Sequence, residues 1–141
     1  MKCNQKRTKM LINILVGMIL AANSIIGLAA SGEVQIYLYP NQVWTGDFEN
    51  TDSRTGNYST VYARNHAVHP ESGTDNYTKI QVRATNGYGL EITDTYVLDE
   101  SASSYTALKI KEGYLSTNFV GFQFRGNTAH DAYAIVSYDG R

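Results

Sequence analysis

The chain has 141 residues, 12 of them basic and 13 acidic, and it contains a single cysteine, Cys3. Four of the basic residues lie among the first nine, so the remaining 8 face all 13 acidic residues and give a net charge of about −5 beyond that segment. This charge argues against nucleic acid as a partner, because phosphate binding needs a basic surface. It also provides no attraction to an anionic membrane.

The first 31 residues have the three parts of a secretory signal peptide. Positions 1–9 carry basic residues without an acidic one, positions 10–28 are almost continuously apolar, and small residues follow at 29–32. The pattern predicts cleavage after Ala30 or Ser31 and a secreted, extracellular protein. The alternative is a membrane anchor, because the apolar run is about as long as the roughly 20 residues that a spanning helix needs. The leader before its cleavage is the one membrane contact that we predict.

Residues 32–141 are predicted to form a single β domain without cysteine. Many small secreted domains depend on disulfides, whereas this one must be stabilised by its core alone. At roughly 110 residues this is feasible, since folding buries about two-thirds of the surface of the unfolded chain.

Short segments that alternate apolar and polar residues recur along this domain, and no segment has helical periodicity with caps. The alternation predicts strands near 34–39, 58–64, 77–84, 90–93, 105–111, 119–125 and 132–138, with turns at 46–57 and a polar loop at 65–76. Asn86-Gly87 is a strong hairpin signal. We therefore expect an all-β, antiparallel sandwich of two sheets with seven or eight strands, either jelly-roll or immunoglobulin-like. The alternative is a small closed β-barrel.

The tyrosines share a phase in the predicted strands. In the first strand Ile36 and Leu38 fall on one face, whereas Tyr37 and Tyr39 fall on the other. If the aliphatic face is the core, the aromatic face points to solvent. The candidate binding residues that follow are Tyr37, Tyr39, Trp44, Tyr58, Tyr62, Arg64 and Tyr77. These rings could equally stabilise the sheet alone, and Trp44 could be a core residue.

Exposed aromatic rings among polar groups are suited to recognition, because they combine a rigid apolar surface with a hydrogen-bonding tip. We expect a binding module that recognises an extracellular glycan or a protein. No cofactor is predicted, and no enzyme, because residues 32–141 have no cysteine and no G-x-S-x-G motif. The alternative of a small secreted effector, such as a bacteriocin-like toxin or a protease inhibitor, also remains open.

A third hypothesis is a metal site in the predicted loop that contains His66, His69 and Glu71. Two imidazoles and a carboxylate are suitable ligands for a divalent ion, and His130-Asp131 could complete the set. The spacing lacks the helical H-E-x-x-H pattern. Solvated or locally bonded histidines are the other interpretation of this segment.

Overall fold

The computed structural model describes residues 32–46, 49–54, 56–71 and 77–141. The predicted signal peptide at 1–31 lies outside the described residues. Within the described ranges, no helix has the length and apolar character needed to cross a membrane.

The described residues form eight β-strands and no α-helix. Two short 3-10 turns, Pro40–Gln42 and Glu112–Tyr114, complete the regular structure. The strands are β1 (Val34–Leu38), β2 (Thr51–Ser53), β3 (Thr60–Pro70), β4 (Lys79–Asn86), β5 (Tyr96–Asp99), β6 (Thr106–Lys109), β7 (Phe119–Gly126) and β8 (Ala132–Asp139).

The strands make two antiparallel sheets of four, in the orders β1-β8-β3-β6 and β2-β7-β4-β5. We call them the first and the second sheet. The first strand pairs with the last, the second with the seventh, the third with the sixth and the fourth with the fifth, as in one long hairpin that has been rolled over itself. The closed-barrel alternative is wrong, because the pairing of the described strands ends at β1 and β6 in one sheet and at β2 and β5 in the other.

One hydrophobic core lies between the sheets and takes residues from both. Ile36 and Leu38 of β1 are buried, as the alternation predicted, and so are Val120, Phe122 and Phe124 of β7. Phe122 stacks on Tyr138 of the opposite sheet with 4.9 Å between ring centroids. The burial of these apolar residues is the main source of stability in a domain without disulfides.

Three features of the strands differ from the sequence-based prediction. The predicted strand at 90–93 forms two isolated bridges, from Glu91 to Thr85 and from Thr93 to Ile110, and strand β5 begins later, at Tyr96. The short strand β2 falls within a segment that we predicted to be a turn, because its turn-forming residues are held in an extended conformation by β7. Strand β3 continues to Pro70 and includes the first half of the predicted polar loop, since the neighbouring β8 supplies partners from Tyr62 to Pro70. A change of register between Asn65 and Ala67 makes His66 the extra residue of a β-bulge.

The connections alternate between the two ends of the domain because consecutive strands run in opposite directions. The β1–β2, β3–β4, β5–β6 and β7–β8 connections lie at one end, which we call the first end. The β2–β3, β4–β5 and β6–β7 connections lie at the second end. Residues far apart in the chain therefore meet at each end.

Candidate functional site

The tyrosines that we predicted to form one surface have different surroundings in the structure. Tyr37 and Tyr39 lie together at the first end, on the outer side of the first sheet. Tyr62 lies on the same side but nearer the second end, and Tyr58 precedes β3 and is 51% exposed. Tyr77 packs against the hydrophobic core, contrary to the prediction that it faces solvent. It precedes β4, so the alternation within that strand does not determine its direction.

Three tyrosines and two carboxylates come together at the first end. Tyr37 is opposite Tyr133 in the β1–β8 pair, and their ring centroids are 5.3 Å apart. Tyr37 also makes an edge-to-face contact with Tyr39 at 5.2 Å. Its hydroxyl donates a 2.8 Å hydrogen bond to Oδ2 of Asp131 in the β7–β8 connection. We call Tyr37, Tyr39, Tyr133, Asp131 and Glu71 the tyrosine cluster.

The carboxylates favour the protonated form of two hydroxyls in the cluster, those of Tyr37 and Tyr133. The hydrogen bond to Asp131 raises the pKa of Tyr37 to about 12, and the same bond lowers the pKa of the Asp131 carboxyl. The negative charge of Glu71 raises the pKa of Tyr133. The Tyr37 hydroxyl is thus already engaged, and the carboxylates supply the hydrogen-bond acceptors of the cluster.

Tyr39 is the ring of the cluster that is most open to solvent. It is 38% exposed, whereas Tyr37 and Tyr133 are half-buried. The chain turns directly after it at Pro40–Gln42, where Asn41 has a φ of 60° and donates its N–H to the Ala129 carbonyl at 3.0 Å. This bond ties the β1–β2 and β7–β8 connections together and sets the position of Tyr39 beside Tyr37.

Sequence reasoning missed Tyr133, and it named Asp131 only as a possible ligand of the metal site. Tyr133 alternates with the buried residues Ala132 and Ala134, so the phase that identified Tyr37 could have identified it as well. Asp131 carries no such signal. It reaches Tyr37 only because β8 pairs with β1, across a separation of 94 residues.

Tyr62 and Arg64, two other predicted binding residues, are engaged within the protein. The guanidinium carbon of Arg141 lies 4.4 Å from the centroid of the Tyr62 ring, and Thr60 donates its hydroxyl to the Tyr62 oxygen at 3.2 Å. Nε of Arg64 donates to the Ala102 carbonyl at 3.2 Å. These contacts stabilise the sheet and its connections.

Trp44 lies on the outer side of the second sheet, half-buried under two arginines. The guanidinium carbons of Arg83 and Arg125 are 4.3 Å and 4.4 Å from its ring centroid. Arg83 donates from Nε to Gln123 at 2.7 Å and Arg125 donates from Nε to Gln81 at 2.6 Å. Trp44 is therefore neither a core residue nor an open contact residue, because cations cover its ring.

The predicted metal ligands do not share a loop in the structure. His66 and His69 lie in β3, so their placement in a loop was wrong, while Glu71 directly follows that strand. His66 Nε2 lies 2.8 Å from the Ser137 hydroxyl, and His69 is exposed opposite Tyr133. Across the described ranges, no three histidine, cysteine or acidic side chains come together as a metal-binding group.

His66 also belongs to a chain of polar side chains that crosses the first sheet. Glu33 lies 3.4 Å from His66 Nδ1, His66 Nε2 contacts Ser137, and Ser137 donates to the Tyr105 hydroxyl at 2.8 Å. An acid, an imidazole and a serine in this order resemble the arrangement of serine hydrolases. Ser137 is only 2% exposed, however, so its hydroxyl is closed to a substrate in this arrangement.

Comparison of the chain with protein-family models, with curated proteins and with solved structures gives no match. The tyrosine cluster must therefore be interpreted from its own geometry and charge.

Proposed function

We propose that this protein is a secreted, non-enzymatic binding module that recognises a neutral extracellular glycan through the tyrosine cluster. The observation that carries the proposal is the open ring of Tyr39, held at 89° to Tyr37, whose own hydroxyl bonds Asp131. A sugar ring has an apolar face and a belt of hydroxyls. An exposed aromatic ring can pack on that face while carboxylates accept hydrogen bonds from the hydroxyls.

The charge of the cluster supports a neutral rather than an acidic ligand. Asp131 is ionised at neutral pH, and the Tyr37 hydrogen bond lowers the pKa of its carboxyl further below the ordinary value of 3.8. A carboxylate or sulfate on the ligand would be repelled by this group. The phenol hydroxyl of Tyr37 is already bonded, so it positions Asp131 rather than reaching outward.

The strand order supports a jelly-roll sandwich as the fold of this module. Eight strands in the orders β1-β8-β3-β6 and β2-β7-β4-β5 follow when one long hairpin is rolled into two facing sheets. An immunoglobulin-type sandwich has a different order, with its first two strands adjacent in one sheet. Here β1 and β2 lie in different sheets.

Secretion is part of the same proposal and is supported by the basic, apolar and small-residue segments at 1–31. Expression in an exporting host, followed by mass measurement of the protein from the medium, tests it. A measured mass equal to that of the chain cut after Ala30 or Ser31 supports cleavage. Retention of the full-length chain in the membrane fraction would favour the anchor.

Retention on insoluble cellulose, chitin and cell-wall preparations tests recognition. We expect the wild type to be retained on at least one of these and the double variant Tyr37→Ala/Tyr39→Ala to be lost from it. Tyr58→Ala is the matched control, because this tyrosine is also exposed but lies away from the cluster. The proposal would be contradicted if the wild type is not retained on any of these materials. It would also be contradicted if the double variant is retained as strongly as the wild type.

A protein ligand is the second candidate, and the two carboxylates of the cluster are the observation that favours it. A basic segment of a partner would complement Asp131 and Glu71, and tyrosines are frequent at the centres of protein interfaces. Treatment of the cell-wall preparation with a protease separates the two candidates. Retention that survives the protease supports the glycan, whereas retention that disappears supports the protein.

A further inference from the structure

An open groove of about 480 Å³ lies at the second end of the domain, opposite to the tyrosine cluster. One wall is the β4–β5 connection with Asn86 and Tyr88. The other is the β6–β7 connection with Ser116, Thr117 and Asn118, followed by Phe119. The volume falls within the range of about 300–1,000 Å³ that is typical of small-molecule sites.

The lining of the groove combines exposed aromatic rings with uncharged polar groups. Tyr88 is 89% exposed and Phe119 is 37% exposed, so both leave apolar area open to solvent. All the lining residues are uncharged. A neutral ligand with one apolar face and several hydroxyls matches this lining, because a charged ligand would find no counter-charge in it.

The wall with Ser116 and Thr117 is held in place by a buried arginine. Arg54 is 7% exposed and donates from its guanidinium to the carbonyls of Leu115 and Thr117, each at 3.1 Å. Its backbone N–H donates to the Asn118 carbonyl at 3.0 Å. The loop is therefore ordered before a ligand arrives, which reduces the entropic cost of binding.

The opposite wall is ordered by the side chain of Asn86. Its Oδ1 accepts hydrogen bonds from the N–H groups of Tyr88 at 2.9 Å and Leu90 at 3.0 Å. Gly89 completes the turn with a φ of 77°, a conformation that favours glycine. The backbone of Tyr88 is thus fixed while its ring remains free to close over a ligand.

We propose that this groove is a separate binding site for a neutral sugar ring. The ring lies between Tyr88 and Phe119, and its hydroxyls bond to the side chains of Ser116, Thr117 and Asn118. The site differs from the tyrosine cluster in both position and charge. Its occupancy does not depend on whether the cluster binds a glycan.

Two-dimensional ¹⁵N–¹H NMR of the purified protein tests the site, with glucose, galactose, mannose and N-acetylglucosamine titrated one at a time. We expect at least one sugar to produce saturable shifts in the amides of 87–90 and 116–119. Tyr88→Ala should weaken the binding of that sugar by about tenfold, because one stacking contact is lost. Tyr88 is almost fully exposed, so the variant should retain its fold.

Tyr58→Ala is the matched control, since this exposed tyrosine lies outside the groove lining, and it should leave the affinity unchanged. The variant Tyr37→Ala/Tyr39→Ala should also leave it unchanged, which separates this site from the tyrosine cluster. The inference is overturned if none of the four sugars gives saturable shifts in the groove. It is also overturned if Tyr88→Ala binds as tightly as the wild type. Shifts in the groove with N-acetyltyrosine amide but with no sugar would identify a peptide site instead.

Discussion

The outer sides of the two sheets both carry aromatic rings, but the rings have opposite surroundings. On the first sheet Tyr39 is open to solvent and contacts Tyr37, whereas on the second sheet Trp44 is covered by two guanidiniums. Those arginines are in turn bonded to Gln81 and Gln123. An aromatic residue on an outer face is therefore a candidate contact only when its neighbours leave the ring free.

The largest effect on stability should come from Trp44→Ala. The substitution removes a half-buried ring and both cation–π contacts, and we expect a loss of about 2 kcal/mol in the free energy of unfolding. Urea denaturation measures it, with the neighbouring exposed Val43→Ala as a control that should change little. Glycan retention should be unaffected. If the Trp44→Ala protein has normal stability but no longer binds the glycan, the recognition surface lies on the second sheet and not on the first.

Arg125→Gln should have a smaller effect on the same face. It removes one guanidinium from the Trp44 ring and the hydrogen bond to Gln81, while Arg83 still covers the ring. We expect a loss of about 0.5–1 kcal/mol by the same denaturation measurement. Lys109→Gln, which removes an exposed cation from the other sheet, is the matched control. Equal losses in both variants would show that only net charge matters.

Tyr37→Phe should produce a small destabilisation that depends on pH. The pKa of Tyr37 rises from its ordinary value of 10.0 to about 12, so its contribution is complete below pH 10 and is lost as the pH rises through about 12. The pKa of Asp131 is lowered from 3.8, so its contribution is present above pH 3.8 and is lost below it.

The difference in melting temperature between wild type and Tyr37→Phe measures this dependence. It should be constant across the neutral range and shrink toward both extremes of pH. A difference that does not change with pH would mean that the hydroxyl does not interact with the Asp131 charge.

The smallest effect on stability should come from Tyr39→Ala. This variant nonetheless tests most directly whether the open ring on the first sheet binds the ligand. Its ring makes one edge-to-face contact and is 38% exposed, so we expect a change within about 0.5 kcal/mol. Retention on the glycan should fall substantially. Tyr58→Ala, at 51% exposure, should change neither property. If Tyr39→Ala binds the glycan normally, the exposed Tyr39 ring is not the determinant of recognition.

Part of the site could be predicted from sequence because side-chain direction in a strand is a local property. The alternation in β1 correctly separated Ile36 and Leu38 from Tyr37. The same rule failed for Tyr77, which lies just before β4 and packs against the core. The sequence also placed His66 and His69 in a polar loop, whereas both lie in β3, where a β-bulge at His66 interrupts the regular alternation.

The amino-acid pattern alone predicted an all-β domain whose aliphatic faces pack inward and whose first strand displays Tyr37 on its outer face. These properties follow from a period of two along each strand. Which outer residues meet depends on how the strands pair in three dimensions. Tyr37 reaches Asp131 across 94 residues because β1 pairs with β8, and Trp44 is covered by arginines from β4 and β7. The order of strands in a sheet depends on pairing between distant segments, and local polarity does not specify that pairing.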